Sequence, residues 1–372
     1  MPTRPTTAEI DLTALEFNLS GIRQRVGKQV KILAVVKANA YGHGIVSVAK
    51  FLERKKVEGF GVAFPEEGME LRRAGIKSPI HVFTLPADTQ ASLFAQLNLE
   101  PTISSRDDLR VLDRAAVKHH TTLHVHLKID TGMNRIGVRK AALPALLADL
   151  GKVRRIEVKG VFTHFASSDD RDKSFAKRQL AQFEECLEML RHNGLEPELV
   201  HCANSAAILD LPESWFSMVR PGISLYGYYS SHDVSHTVPL KPVMTLRSKV
   251  ALVKEIEMGE SVSYGHRFIA QRRTRIATVP AGYADGVPRL MTGKALALIH
   301  GKRYPVVGTI CMDQCMVDVG RDDVTRNDEV VLIGEQGRQR ITAQEWADKI
   351  GTIPYEICCG ISSRVPRIYR YT

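Results

Sequence analysis

Between residues 31 and 228 the chain alternates short runs of apolar, β-branched residues with longer stretches in which apolar positions recur every three or four residues. The runs 32–36, 59–64, 80–84, 101–104, 123–129, 158–163, 199–202 and 218–223 have the length and composition of buried strands. The segments between them, such as 45–54, 66–74, 105–118 and 174–192, have the helical period, and several open on Ser or an acidic residue and close on Gly. Strand and helix units repeated in this way predict an α/β fold, a (β/α)8 TIM-type barrel, whose working groups sit where the strands end. A doubly wound sheet is the alternative, but no GxGxxG follows the first strand.

The pattern changes at 230–242, a stretch of Ser, His and Pro that reads as a linker. Beyond it come short alternating runs (243–257, 274–279, 295–299, 314–318) separated by Gly, Asp and Asn, with one helical segment at 343–350. A mostly β C-terminal domain is expected, dividing the chain into 1–238 and 239–372.

Composition narrows the classes. The 372 residues are 44% hydrophobic and 25% charged, which suits a soluble protein with a sizeable core and excludes disorder, collagen-like repeats and a disulfide scaffold. Lys plus Arg (51) against Asp plus Glu (41) leaves a net charge of +10, favouring small anionic ligands. Basic pairs such as Arg154-Arg155 and Arg272-Arg273 stand alone, as on a solvated surface, so no nucleic-acid partner is expected. The opening MPTRPTTAEIDL lacks the apolar centre of a secretion signal, and no apolar stretch is long enough to span a bilayer; a cytoplasmic protein with no membrane partner is expected. Cys186, Cys202, Cys311, Cys315, Cys358 and Cys359 have no paired zinc-ligand spacing and read as free thiols.

Candidate chemistry begins at the first barrel strand, where the buried run Ile32-Leu33-Ala34-Val35-Val36 ends in Lys37. Desolvation there disfavours the ammonium and leaves a nucleophilic amine able to form a Schiff base. The residues after it, Ala38-Asn39-Ala40-Tyr41-Gly42-His43-Gly44, are small enough to let a flat ligand approach, and Tyr41 offers a hydroxyl to a phosphate. On position alone, a lysine snorkelling to solvent explains the pattern equally well.

The run AVVKANAYGHG (34–44) resembles the cofactor-lysine signature of the alanine racemase family, pyridoxal 5′-phosphate (PLP) enzymes that interconvert L- and D-alanine. Further matching motifs follow in order: LKIDTGMNRIGV (127–138), THFASSD (163–169), HCANS (201–205), RPGISLYG (220–227), SYGHRF (263–268), AGYADG (281–286), CMDQ (311–314) and IPYE (353–356). The resemblance covers essentially the whole chain.

It implies specific roles. Removing an α-proton is slow unless the resulting charge is delocalised, which PLP does, and racemisation needs a proton acceptor on one face and a donor on the other. The resemblance assigns Lys37 to holding PLP and serving the face towards D-alanine, and Tyr264 to the face towards L-alanine. A free tyrosine titrates near ~10, so its phenolate needs support, which the family draws from a histidine matching His164. Arg220 would face the pyridine nitrogen, where a permanent cation discourages ring protonation and suppresses side reactions.

Gly222 and Ile223 would present backbone N–H groups to the phosphate, joined by Ser205, Tyr41 and Tyr355, with Asn204 beside them. Asn204-Ser205 also reads as a helix N-cap, and Arg220-Pro221-Gly222 as an ordinary turn. Arg135 would hold the substrate carboxylate, helped by the backbone at Met312. Lys128 matches a lysine carbamylated in several members. Asp169, Tyr283 and Arg289 would line a substrate entry that excludes bulkier amino acids. In the family, residues matching Tyr264 and Met312 complete the partner's site, so a homodimer with shared active sites is implied.

Three other readings compete. His124, His126, Lys128 and Asp130 alternate onto one strand face, with His164 and His201 near later strand ends, the raw material of a metal-dependent hydrolase; that reading leaves Lys37, Tyr264 and Arg220 idle, and no metal is expected. A non-catalytic PLP carrier would not need residues 243–372. A racemase of broader specificity, for serine, lysine or arginine, would need a roomier entry than Tyr283 and Tyr355 leave.

Overall fold

The computed structural model describes residues 3–371. Its parallel strands Lys31–Val35, Gly59–Val62, Ile80–Val82, Glu100–Ile103, Leu123–Asp130, Ile156–Phe162, Leu199–His201 and Met218–Val219 pair in sequence order, and the last returns to pair with the first through Met218↔Lys31 and Val219↔Ile32. The remaining seam is bridged by Ser217 N–H to the Val200 carbonyl (3.2 Å) and Arg220 N–H to the Ala203 carbonyl (2.9 Å), leaving a nearly closed eight-strand barrel. Helices Ile45–Arg54 and Ser174–His192 span the segments expected from their period. Helix Arg106–Lys118 starts one residue later than expected because Ser105 is its cap, accepting the Asp108 N–H at 3.2 Å.

The last barrel strand is shorter than expected, because after Val219 the chain turns through Pro221 into the one-turn helix Ile223–Tyr226. The run 243–257 is two strands, Met244–Lys249 and Leu252–Ile256. The first continues the main sheet of the β-rich domain, and the second pairs antiparallel with Thr274–Val279. The sheet also takes Thr7–Asp11, which lies antiparallel to Met244–Lys249 and parallel to Arg367–Arg370. The first described strand therefore lies in the second domain's sheet. The chain enters the barrel through helix Leu12–Val26, which Asp11 caps with bonds of 2.8 and 2.9 Å from Thr13 and Ala14 N–H. The 230–242 stretch, read as a linker, packs Val234 and Val238 onto Ala206 and Leu209 of the barrel. One apolar core runs through both domains. Among the described residues, no helix is long and apolar enough to cross a membrane.

Candidate active site

The strand ends converge on a cavity of about 440 Å³ at the carboxyl mouth of the barrel. Lys37 enters it from a turn with an unusual backbone: Ala38, Asn39, Ala40 and Tyr41 have φ of +52°, +54°, +52° and +52°. Four consecutive left-handed residues, none a glycine, cost roughly 1–2 kcal/mol each, so the surroundings must impose the conformation. Glu67 accepts the Ala38 N–H (2.6 Å) and the Ala63 N–H (2.7 Å), Asn39 Oδ1 accepts the Ile45 N–H (2.9 Å), and Arg367 donates to the Gly42 carbonyl (3.0 Å). Lys37 itself is partly buried and makes no ion pair among the described residues. Burial, and then the positive charge of Arg135, lower its pKa below the ordinary lysine value, favouring the neutral amine.

Arg220 is 4% exposed, not a surface arginine in a turn. Nη1 donates to His201 Nδ1 (2.9 Å) and the His201 carbonyl (2.8 Å), and Nη2 to the Thr163 carbonyl (2.8 Å), the Cys202 carbonyl (3.0 Å) and His164 Nδ1 (3.1 Å). Its Nε–H takes part in none of these. Burial lowers its pKa, but only to about 10, so it stays a cation at neutral pH. Because a guanidinium only donates, His164 Nδ1 must accept and its proton must sit on Nε2. Burial and then Arg220 push the His164 pKa far down, so the ring is neutral.

Tyr41 is buried, and a Cβ built on Gly222 would lie 2.6 Å from its hydroxyl, so only glycine admits the phenol there. Ser205 Oγ lies at the same corner and accepts the Gly222 N–H (2.9 Å) and Ser224 N–H (3.3 Å). Ile223 and Tyr355 also line the cavity. Asn204 lines it too, with Oδ1 capping helix Ser205–Asp210 through the Ala207 N–H (3.0 Å) and accepting from Ser168 (2.9 Å).

Arg135 lines the cavity with no ion-pair partner among the described residues. Lys128 is buried over the Phe162 ring (5.1 Å to its centroid), and burial followed by Arg220 lowers its pKa to about 7. Asp169 lies close enough to Tyr355 to raise its pKa, after burial.

The other candidates lie elsewhere in the chain. Tyr264, 72% exposed, and Met312, 52% exposed, are absent from this cavity. Thr309 donates to the Tyr264 carbonyl (2.8 Å), Ser263 Oγ lies 3.3 Å from Cys311 Sγ, and Tyr283 N–H donates to the Cys311 carbonyl (3.0 Å). Thr292, just after Arg289–Met291, accepts the Ile310 N–H (3.2 Å). Tyr264, Met312, Tyr283 and Arg289 thus form a second group on the β-rich domain.

Of the histidines in the metal-site reading, His124 lies apart against Glu157 (3.4 Å), while the others are engaged with protein groups: His126 with His201 (2.9 Å) and Glu100 (3.0 Å), and His164 with Arg220 (3.1 Å). Sequence reading missed Phe162, Ile136 and Cys359 as cavity residues. Cys359 had a signal, lying four residues after Tyr355 on one helical face.

A model of the alanine racemase N-terminal domain matches residues 10–230, and one of the C-terminal domain matches residues 243–369. An alanine racemase of Halothermothrix orenii is 44% identical over 369 residues, covering 99% of this chain and 97% of that protein. The solved alanine racemase of Clostridium difficile 630 superimposes with a TM-score of 0.96 at 39% identity, covering 100% of this chain and 97% of the other. That of Bacillus anthracis, solved with bound L-Ala-P, gives 0.95 at 37%, covering 100% and 96%.

Proposed function

Because this chain belongs to the alanine racemase family, we propose that Lys37 and Tyr264 of the partner subunit are the opposed bases of its reaction. The enzyme is an isomerase that interconverts L-alanine and D-alanine and depends on PLP. A broader substrate range is not favoured, since the relatives named above are alanine racemases.

The cavity suits the cofactor. It offers an amine held towards its neutral form, a buried cation with an unspent Nε–H, and a corner where Ser205, Tyr41 and the Gly222 N–H meet. In this reading Lys37 holds PLP. Ser205, Tyr41, Tyr355 and the N–H groups of Gly222 and Ile223 hold its phosphate, Arg220 faces its ring nitrogen, and Asn204 and His164 flank it. When bound, PLP delocalises the negative charge left on the α-carbon as its proton departs.

The proteins' own groups move that proton. Lys37 takes or returns it on the face towards D-alanine. Tyr264 of the partner subunit does so on the face towards L-alanine, its phenolate stabilised by the His164 Nε2–H that the Arg220 bond fixes. Arg135 binds the substrate carboxylate with help from the backbone of Met312 of the partner subunit. A carbamylated Lys128 supplies an anion that orients Arg135. Asp169, Tyr283 and Arg289 narrow the entry.

One observation carries the shared-site arrangement. The barrel candidates other than Asp169, joined by Tyr355, line one cavity, while Tyr264 and Met312 stand exposed on the β-rich domain. A homodimer in which each β-rich domain closes the other chain's barrel supplies both faces. In this reading the chain divides into a PLP-binding barrel (1–238) and a β-rich domain (239–372), with Thr7–Asp11 lent to the second sheet. Six free cysteines suit the cytoplasm, where D-alanine serves peptidoglycan synthesis or, in reverse, alanine catabolism. The test is stereochemical. In D2O the loaded enzyme should convert each enantiomer into the other with deuterium at Cα, and retention of configuration or of the α-proton would reject the reading.

A further inference from the structure

Barrel interiors are filled mostly by branched apolar side chains, yet this one buries His81, Glu100, His126 and His201. Three of them continue the Arg220 contact in a line. Arg220 Nη1 donates to His201 Nδ1 (2.9 Å), His201 Nε2 lies 2.9 Å from His126 Nδ1, and His126 Nε2 lies 3.0 Å from Glu100 Oε2. Lys159 donates to the other carboxylate oxygen at 2.5 Å.

The direction of each bond follows from its ends. Arg220 can only donate, so the proton of His201 sits on Nε2 and is given to His126 Nδ1. The proton of His126 then sits on Nε2 and is given to Glu100. Reversing either ring sets two donors against each other. Burial pushes His201 far below the ordinary histidine value, in keeping with a neutral ring. Burial raises the Glu100 carboxyl, but His126 and Lys159 outweigh it and hold it down at about 2.

The backbone is shaped around this line. The pairing of Leu123–Asp130 with Ile156–Phe162 shifts register between Val125 and His126, so that Val125 opposes Val158 and His126 opposes Gly160. The skipped residue is Lys159, the one that reaches Glu100, as expected of a bulge that re-aims a side chain. A Cβ on Gly160 would lie 2.3 Å from His126 Nδ1, the atom that accepts from His201. His81 stacks on His126 with ring centroids 4.0 Å apart and Nδ1 3.0 Å from the Glu100 carbonyl.

We propose that His201, His126 and Glu100 are positioning residues for Arg220: a one-way column from the barrel floor that occupies Nη1, fixes the guanidinium plane and keeps Nε–H for the cofactor ring. The inference rests on Arg220 facing that ring. A buried ionic column is weak evidence for added stability; its role here is orientation.

Glu100→Gln tests it. Lys159 can only donate, so the amide oxygen stays with it and the amide NH2 turns to His126 Nε2. Both rings must then carry their protons on Nδ1, and His201 opposes Arg220. Long-range 15N NMR of histidine-labelled protein, with and without PLP, should place both protons on Nε2 in the parent and move that of His201 in the variant. The variant's kcat should fall about tenfold or more from misplacement of the cation, with alanine KM within about twofold. An Nδ1-protonated His201 in the parent, or an unchanged tautomer and kcat in Glu100→Gln, overturns the proposal. Should Glu100→Gln not fold, His126→Asn, whose oxygen can replace Nδ1 as acceptor, should keep most of the kcat that His126→Leu loses, and equal rates overturn it. The tautomers are read on the protein alone, so their failure is distinct from failure of PLP attachment at Lys37.

Discussion

Arg220 and His164 are joined by a bond that runs one way, Nη2 to Nδ1 at 3.1 Å, and this fixes the histidine proton on the nitrogen left for a ligand. The same guanidinium satisfies His201 Nδ1 and three backbone carbonyls. Arg220→Lys keeps one charge but offers three donors and no fork. We expect kcat to fall ~100-fold or more while PLP remains attached, measured by steady-state racemisation beside the visible spectrum. Unchanged turnover would remove Arg220 from the account.

Lys37 makes no ion pair among the described residues, so the fold does not need it. Lys37→Ala should therefore keep its Tm within a few degrees and lose the absorption of covalently held PLP. Borohydride reduction and peptide mapping of the parent should find the adduct on Lys37. An adduct on another lysine would contradict the assignment.

The barrel was legible because its strands are buried on both faces and its helices have a clear period; 45–54 and 174–192 are found where the pattern put them. Thr7–Asp11 was not, because five residues that gain stability only by pairing with Met244–Lys249 and Arg367–Arg370 have no local signal. The cavity residues were legible as motifs, and Lys37 also as a strand end. The direction of the hydrogen bonds was hidden, since proton placement on His164 and His201 follows only from the contact with Arg220. The role of Gly160 was equally hidden, because its neighbour His126 lies on another strand.

Lys128 has a pKa lowered to about 7 by burial and then by Arg220. Its amine is therefore increasingly neutral as pH rises through 7, and only the neutral amine adds to CO2, giving a carbamate and one released proton. Protein in 13C-bicarbonate should show a carbamate signal that grows from pH 6 to pH 8 and is missing in Lys128→Ala. That variant should raise the KM for alanine several-fold by freeing Arg135. The shift also affects stability. The unfolded lysine, with its higher pKa, binds more protons between about 7 and 10, so this group's contribution favours the fold as pH rises across that window. No signal at pH 8 would contradict the modification.

Gly222→Ala would put a Cβ 2.6 Å from the Tyr41 hydroxyl. The phenol is buried and its turn is tied by Glu67 and Asn39, so it cannot simply withdraw. PLP affinity, measured by titrating the unloaded variant, should weaken by about tenfold or more, the scale of one lost charge-assisted bond. Undiminished affinity would place the phosphate elsewhere.

The claim that the two bases come from different chains is tested most directly by subunit mixing. Lys37→Ala and Tyr264→Phe should each be nearly inactive. Dissociated together at equal amounts and reassociated, they form mixed dimers in half the cases, each with one intact site and one doubly defective site. Activity should recover to about a quarter of the parent's. If both residues served one site within one chain, no mixed dimer would hold an intact site, and activity that stays at the level of the separate variants would contradict the account.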